Sequence, residues 1–215
     1  MRLISVEASR VIALRRMHAR AGTPFLPDLL RAIAERYSFQ KSPTSYEEIS
    51  SDTRLFQGGK WNNFQIDELG IYSDGVIAAA PSGTDVTTGI VDDLFEFITG
   101  EYGFEMTSQR EFRHYESGIV IELPENITNR FKGLYALSQD LTNFQVAYDL
   151  PAYKFETARI SSFVDPTVYN GKIPLGFNLE RRAGESFEEN RWYCSAPLKT
   201  EDHLELVTNL EKALA

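Results

Sequence analysis

One segment constrains the fold more than any other: Val76-Ile77-Ala78-Ala79-Ala80-Pro81-Ser82-Gly83-Thr84-Asp85. The chain carries a counterpart near its end, Trp192-Tyr193-Cys194-Ser195-Ala196-Pro197-Leu198-Lys199-Thr200-Glu201. Each reads as a short strand, then Ala-Pro, then Thr and an acid, then a helix. Proline stops the strand because it has no N–H for the ladder. Thr84 or Asp85 is expected to cap the first helix through its side-chain oxygen. Adding 116 to each position places Ala80-Pro81 on Ala196-Pro197, Thr84 on Thr200 and Asp85 on Glu201. The same offset places Ile90, Val91, Leu94 and Ile98 on Leu206, Val207, Leu210 and Leu214.

The periodicity around these segments supplies the remaining elements. Residues 2–15 alternate as a strand, and 16–23 read as a polar loop. Pro24 and Pro27 open a helix whose apolar positions Leu29, Leu30, Ile33, Ala34 and Tyr37 recur at helical spacing. A hairpin is expected with Gly58-Gly59 at its turn, followed by a strand through Ile66 to Tyr72 with a bulge at Gly70. Ser73-Asp74-Gly75 is a tight-turn signal, and Gly100 and Gly103 bracket the end of the next helix. In the second half, 112–123 reads as a strand bent at Ser117-Gly118, and a helix opens at Pro124 to Asn126. Strands over 153–164, 173–182 and 191–195 follow, then a closing helix from Thr200 with Leu204, Val207, Leu210 and Leu214 on one face.

The expected class is therefore α+β: two pseudo-repeated β-α-β-β-β-α halves, with antiparallel-rich sheets and helices on one face. The halves are placed at residues 1–110 and 111–215, forming one pseudo-symmetric unit. This element order is similar to duplicated folds such as the TATA-binding-protein-like repeat and the paired small-molecule-binding modules of the GyrI-like type. That likeness is one of fold and implies no function.

Composition narrows the function. With 42% hydrophobic and 25% charged residues, the chain matches ordinary globular averages. A net charge of −9 argues against a phosphate-binding surface, so nucleic acid is not expected as a partner. Arg10, Arg15, Arg16, His18 and Arg20 form a local basic cluster, read as surface. A single cysteine, Cys194, excludes an intramolecular disulfide and a cysteine-cluster metal site. No signal peptide or membrane span is expected, and a cytoplasmic setting follows.

Chemistry-bearing motifs are sparse. Gly58-Gly59-Lys60 lacks the spacing of a phosphate loop. The three histidines, His18, His114 and His203, lack metal-ligand spacing, and Asp92, Asp93 and Glu96 read as solvated carboxylates on one helix. Ser82 and Thr84 occur without a nucleophile elbow. Cys194 reads as a buried structural thiol, although His203, in the first turn of the last helix, is positioned to approach it. No catalytic residue, cofactor or metal is assigned.

Aromatic residues, 12% of the chain, are the remaining signal. Tyr46, Trp61, Tyr72, Tyr102, Tyr148, Tyr153, Tyr169 and Trp192 fall near turns or strand ends, where amphipathic rings serve interfaces. Trp61, Tyr72, Trp192 and Tyr193 are the candidate contact residues. The leading expectation is a non-catalytic cytoplasmic protein that binds a protein partner or self-associates. The alternative is a sensor holding a small molecule between the two halves. An enzyme of unrecognised type is the third.

Overall fold

The computed structural model describes residues 1–19, 26–106, 111–125, 132–148, 155, 159–163, 165, 167 and 176–214. Pro24, Arg20, Tyr153, Tyr169 and the helix start at Asn126 lie outside them, as does half of the strand expected over 153–164.

The described strands are β1 (Arg2–Leu14), β2 (Met17–Ala19), β3 (Thr53–Trp61), β4 (Phe64–Tyr72), β5 (Gly75–Ala80), β6 (Phe104–Met106), β7 (Phe112–Glu122), β8 (Arg159–Ser162), β9 (Phe177–Arg181) and β10 (Arg191–Ala196). The described helices are α1 (Leu26–Arg36), α2 (Tyr46–Ser50), α3 (Thr84–Tyr102), α4 (Lys132–Ala147) and α5 (Thr200–Leu214). The class is α+β, with a large antiparallel sheet in strand order β3-β4-β5-β1-β7-β10-β9-β8. The order β-α-β-β-β-α occurs twice, as β1-α1-β3-β4-β5-α3 and β7-α4-β8-β9-β10-α5. The offset of 116 holds to the residue: Gly75–Ala80 maps onto Arg191–Ala196, and Thr84 onto Thr200.

The chain forms two compact units, one of Val6–Gly118 with Pro197–Thr200, the other of Met1–Ser5, Ile119–Ala196 and Glu201–Ala215. In the first, β5 pairs antiparallel with both β1 and β4, which aligns Val11, Ala78 and Leu69 across three strands. Those residues are fully buried, and Leu29, Leu30 and Ile33 of α1 and Ile90, Val91 and Leu94 of α3 join the same core. Strand side chains alternate between faces, so both helices cover one face and leave the other to Ile12, Ile77, Gly70 and Leu55, which are in register.

Four local expectations change. Gly58-Gly59 lies inside β3; the turn is Asn62-Asn63, with Asn62 at φ 52°. Asn tolerates that left-handed conformation, and Gly59 is needed instead for packing, since a Cβ there would lie 2.4 Å from the Phe39 ring. Gly70 holds regular register with both neighbours, and its bare face accommodates the Tyr72 ring rather than a bulge. Ser117-Gly118 lies within unbroken β7. Met17–Ala19, read as loop, pairs with β6 as a separate ribbon. Gly103 does end α3, at φ 64° with its N–H on the Ile98 carbonyl, while Gly100 lies within the helix.

In the other unit, β10 buries Trp192, Cys194 and Ala196 on one face, and β9 contributes Leu179 opposite Cys194. From α5, His203 and Val207 join that interior. Asn190, left-handed at φ 50°, donates to the Leu123 carbonyl at 2.6 Å and accepts from the Trp192 indole at 3.0 Å.

The joints between last strand and closing helix explain the repeated Thr. The residue before α3 is Gly83, which offers no side-chain cap, and the residue before α5 is Lys199, which has no acceptor. Each threonine caps the other's helix instead. The Thr84 N–H donates to Thr200 Oγ1 at 3.0 Å, and the Thr200 N–H donates to Thr84 Oγ1 at 2.8 Å. Around them, Ser117 reaches Thr200 Oγ1 at 3.2 Å, and Ser9 bridges Thr87 and the Gly83 carbonyl. Thr84 is thus the first helical residue rather than its own helix's cap. We predict that Thr84→Val and Thr200→Val each lower stability by about 1–2 kcal/mol, the cost of one lost helix cap, while Thr→Ser at either position restores most of it. Urea titration of the four variants checks this.

Candidate functional site

Three side-chain clusters and one helix face hold the chemistry worth weighing. The first cluster locks α1 to α3. Arg36 makes a two-point pair with Asp93, Nε to Oδ2 at 3.0 Å and Nη2 to Oδ1 at 2.8 Å, and the buried Tyr37 hydroxyl donates to the same Oδ2 at 2.6 Å. The guanidinium also lies 4.6 Å from the Phe97 ring centre. Burial alone would raise the Asp93 pKa, but the bonds from Arg36 and Tyr37 outweigh it and hold the carboxylate below its usual range. Burial and the neighbouring carboxylate push the Tyr37 hydroxyl well up. Asp93 is therefore a half-buried anchor rather than a solvated carboxylate, and its neighbour Asp92 is taken by Arg113. Both acids are consumed by arginines, and among the described residues no three His, Cys, Asp or Glu side chains converge.

The second cluster is Cys194 with His203. The last helix's first turn does bring the ring to the thiol, with Nε2 and Sγ 3.0 Å apart and both residues fully buried. Burial pushes the thiol up to about 12 and the imidazole down to about 4. Each therefore stays neutral at pH 7, the opposite of the thiolate–imidazolium pair a cysteine nucleophile uses. His203 Nδ1 has no hydrogen-bond partner. The third cluster, at Ser82, is likewise quiet: its hydroxyl is buried without a partner, and no base reaches it.

The four residues expected as contacts separate. Trp61 turns toward α3, where a Cβ on Gly89 would lie 2.6 Å from its ring. Tyr72 lies on the opposite, helix-free face of the same strands, over Gly70. Trp192 is fully buried, with Arg181 stacked 4.6 Å from its ring centre. Tyr193, its neighbour on β10, points to the other face and is half-buried. Described grooves lie elsewhere: one of about 610 Å³ lined by Arg31, Glu35, Phe39, Pro43 and Ile49, and one of about 420 Å³ along Lys41, Glu48 and Leu55.

The strongest surface feature is one the aromatic survey touched only at Tyr148. Among the described residues of α4, the buried or half-buried positions are Ser138, Thr142 and Gln145, a polar line at helical spacing. Leu137, Leu141, Phe144 and the adjoining Tyr148 are 55%, 41%, 59% and 68% exposed. Their 4-3-4 spacing puts them on one narrow stripe, about 100° round the helix from the polar line. Tyr135 and Val146 are exposed on the far flank. An apolar stripe facing water beside a polar line facing protein reverses ordinary amphipathic packing. The spacing was visible in the sequence; the orientation of the helix was not.

No family model matches this chain, and no curated protein matches it. Among solved structures, a Methanococcus jannaschii TBP is similar at 10% identity, with 98% of each chain covered and a TM-score of 0.44. The expectation that nucleic acid is not a partner, which rested on net charge alone, is withdrawn. Net charge was too coarse a ground, since it averages over surfaces that differ locally. The likeness carries nothing over to individual residues here. Among the described residues, no helix is long and apolar enough to cross a membrane.

Neutral burial of His203 makes an acid-side prediction. With a folded pKa of about 4 against 6.5 unfolded, only the unfolded chain takes up the proton between those values. Stability is then full above pH 6.5 and falls as pH drops toward 4, by up to about 3 kcal/mol. Urea midpoints at pH 7 and 4.5 should show this loss in the wild type and a smaller one in His203→Gln. At pH 8, the Cys194 thiol of the wild type should resist labelling until urea unfolds the chain.

Proposed function

We propose that this chain is a non-catalytic binding protein that works through protein–protein contacts, and that α4 carries the contact. The observation behind this is the exposed stripe of Leu137, Leu141, Phe144 and Tyr148. Removing such side chains from water contributes roughly 25 cal/mol per Å² of apolar area, which gives a protein partner ample driving force. Phe and Tyr also bring large rigid area at low entropic cost. The helix-in-groove mode of recognition uses side chains at this spacing. Neutral Cys194 and His203, and carboxylates consumed by arginines, support the non-catalytic part. The cytoplasmic setting belongs to the same proposal.

A photo-crosslinking amino acid at Leu137, introduced in the native host, should give one discrete protein adduct on irradiation. The same probe at Tyr46, which is 84% exposed but away from α4, should give none. The Leu137 adduct should disappear when Phe144→Glu is added. If Leu137 and Tyr46 behave alike, α4 is not the contact element.

A further inference from the structure

We propose that the partner of α4 is α4 of a second copy of this chain, packed antiparallel through Leu137, Leu141, Phe144 and Tyr148. This rests on the reading of α4 as the contact element. What selects a second copy is the order of the side chains, the charge of the helix and the area of the stripe.

Side-chain size rises along the stripe, from Leu137 and Leu141 to Phe144 and Tyr148. Antiparallel pairing about a two-fold sets Leu137 against the partner's Tyr148 and Leu141 against the partner's Phe144. Every layer then holds one aliphatic and one aromatic side chain, so the layers have similar volume. Parallel pairing would set Tyr148 on the partner's Tyr148 and leave a narrow end between leucines. A closed two-fold contact uses one patch twice and needs this self-complementarity. The 4-3-4 spacing is also the seam of a helix pair whose side chains interdigitate.

Charge points the same way. Two copies of a chain of net charge −9 repel, and the repulsion is least where the surface is neutral. Lys132 and Asp140 are the only charged residues in α4, so its own sum is zero. Asp140 lies off the stripe. Acidic α5, by contrast, carries Glu201, Asp202, Glu205 and Glu211.

Area sets the strength. From the exposures, the four stripe residues present on the order of 500 Å² per copy, or about 1,000 Å² for the pair. That is the lower edge of specific interfaces, well short of an obligate dimer. The dimer is therefore a weak, reversible one. The neighbouring Ser138, Thr142 and Gln145 are the described positions of α4 that are buried or half-buried, and they leave the stripe free for the second copy.

Sedimentation velocity from about 1 to 200 μM should show a reversible monomer–dimer equilibrium. The double variant Leu141→Glu/Phe144→Glu should weaken it at least 30-fold, while Tyr46→Glu leaves it unchanged; circular dichroism confirms that each variant folds. For register, Leu137→Cys and Tyr148→Cys chains, mixed and oxidised, should crosslink to each other faster than either does to itself. A dimer untouched by the double variant, or homotypic crosslinks in preference, overturns the proposal. A monomer at 200 μM whose Leu137 photo-adduct contains a different protein overturns the second copy but leaves α4 as a contact element. A monomer without any adduct at Leu137 overturns both.

Discussion

The exchange of hydrogen bonds between Thr84 and Thr200 is the contact on which the repeated architecture turns. Each helix start has amide groups that intrahelical bonds cannot reach, and neither Gly83 nor Lys199 has a side chain able to satisfy them. The threonine hydroxyls do so reciprocally, at 3.0 and 2.8 Å. Losing either hydroxyl strands an amide at the start of the other helix, so the two joints are interdependent. Ser9, Thr87 and Ser117 extend the arrangement into a small set of hydroxyls between strands and helix ends. The loop between Pro and Thr is free to vary, as Ser82-Gly83 against Leu198-Lys199 shows, because the bond needs only the threonine.

Polar groups inside this molecule are used for fastening. Asp93 accepts from Arg36 and Tyr37 and thereby joins α1 to α3 at a point where aliphatic packing alone would leave the helices free to slide. Asn190 takes a left-handed conformation to satisfy both the Leu123 carbonyl and the Trp192 indole, fixing the end of β7 against β10. Cys194 and His203 satisfy one another in an apolar interior, at the cost of an imidazole that cannot take up a proton without disrupting its surroundings. Chemistry in such groups is suppressed by the same burial that makes them structural.

Against that background α4 stands apart. The other long helices place apolar side chains on the core, as Ile90, Val91 and Leu94 do in α3 and Val207 does in α5. Among the described residues of α4 the buried line is polar while Leu137, Leu141, Phe144 and Tyr148 face water, an arrangement that burial against a partner would relieve. The paired closing helices α3 and α5 also diverge: Ile90 is buried, whereas Leu206 at the matching position in α5 is 40% exposed. Element order can repeat while the covered faces drift, because covering depends on what each helix lies against.

Sequence alone determined the α+β class, the order of the repeated elements and the offset of 116, since these rest on local rules: a period of two or 3.6, proline's missing N–H, and glycine's left-handed conformation at Gly103. It placed Leu29, Leu30 and Ile33 in the core for the same reason. It missed the Asn62-Asn63 turn because two adjacent glycines are the stronger turn signal, and only Phe39, distant in space until the chain folds, shows why Gly59 belongs in the strand. It made Thr84 its own cap because a residue's neighbours in sequence are visible and its neighbour at position 200 is not. Tertiary structure decided what each charge faces, as at Asp93, and whether Trp192 is core or contact. It also decided which side of α4 meets water. A helical pattern shows that Leu137, Leu141, Phe144 and Tyr148 share a stripe, but whether that stripe is buried is set by the surface laid against it.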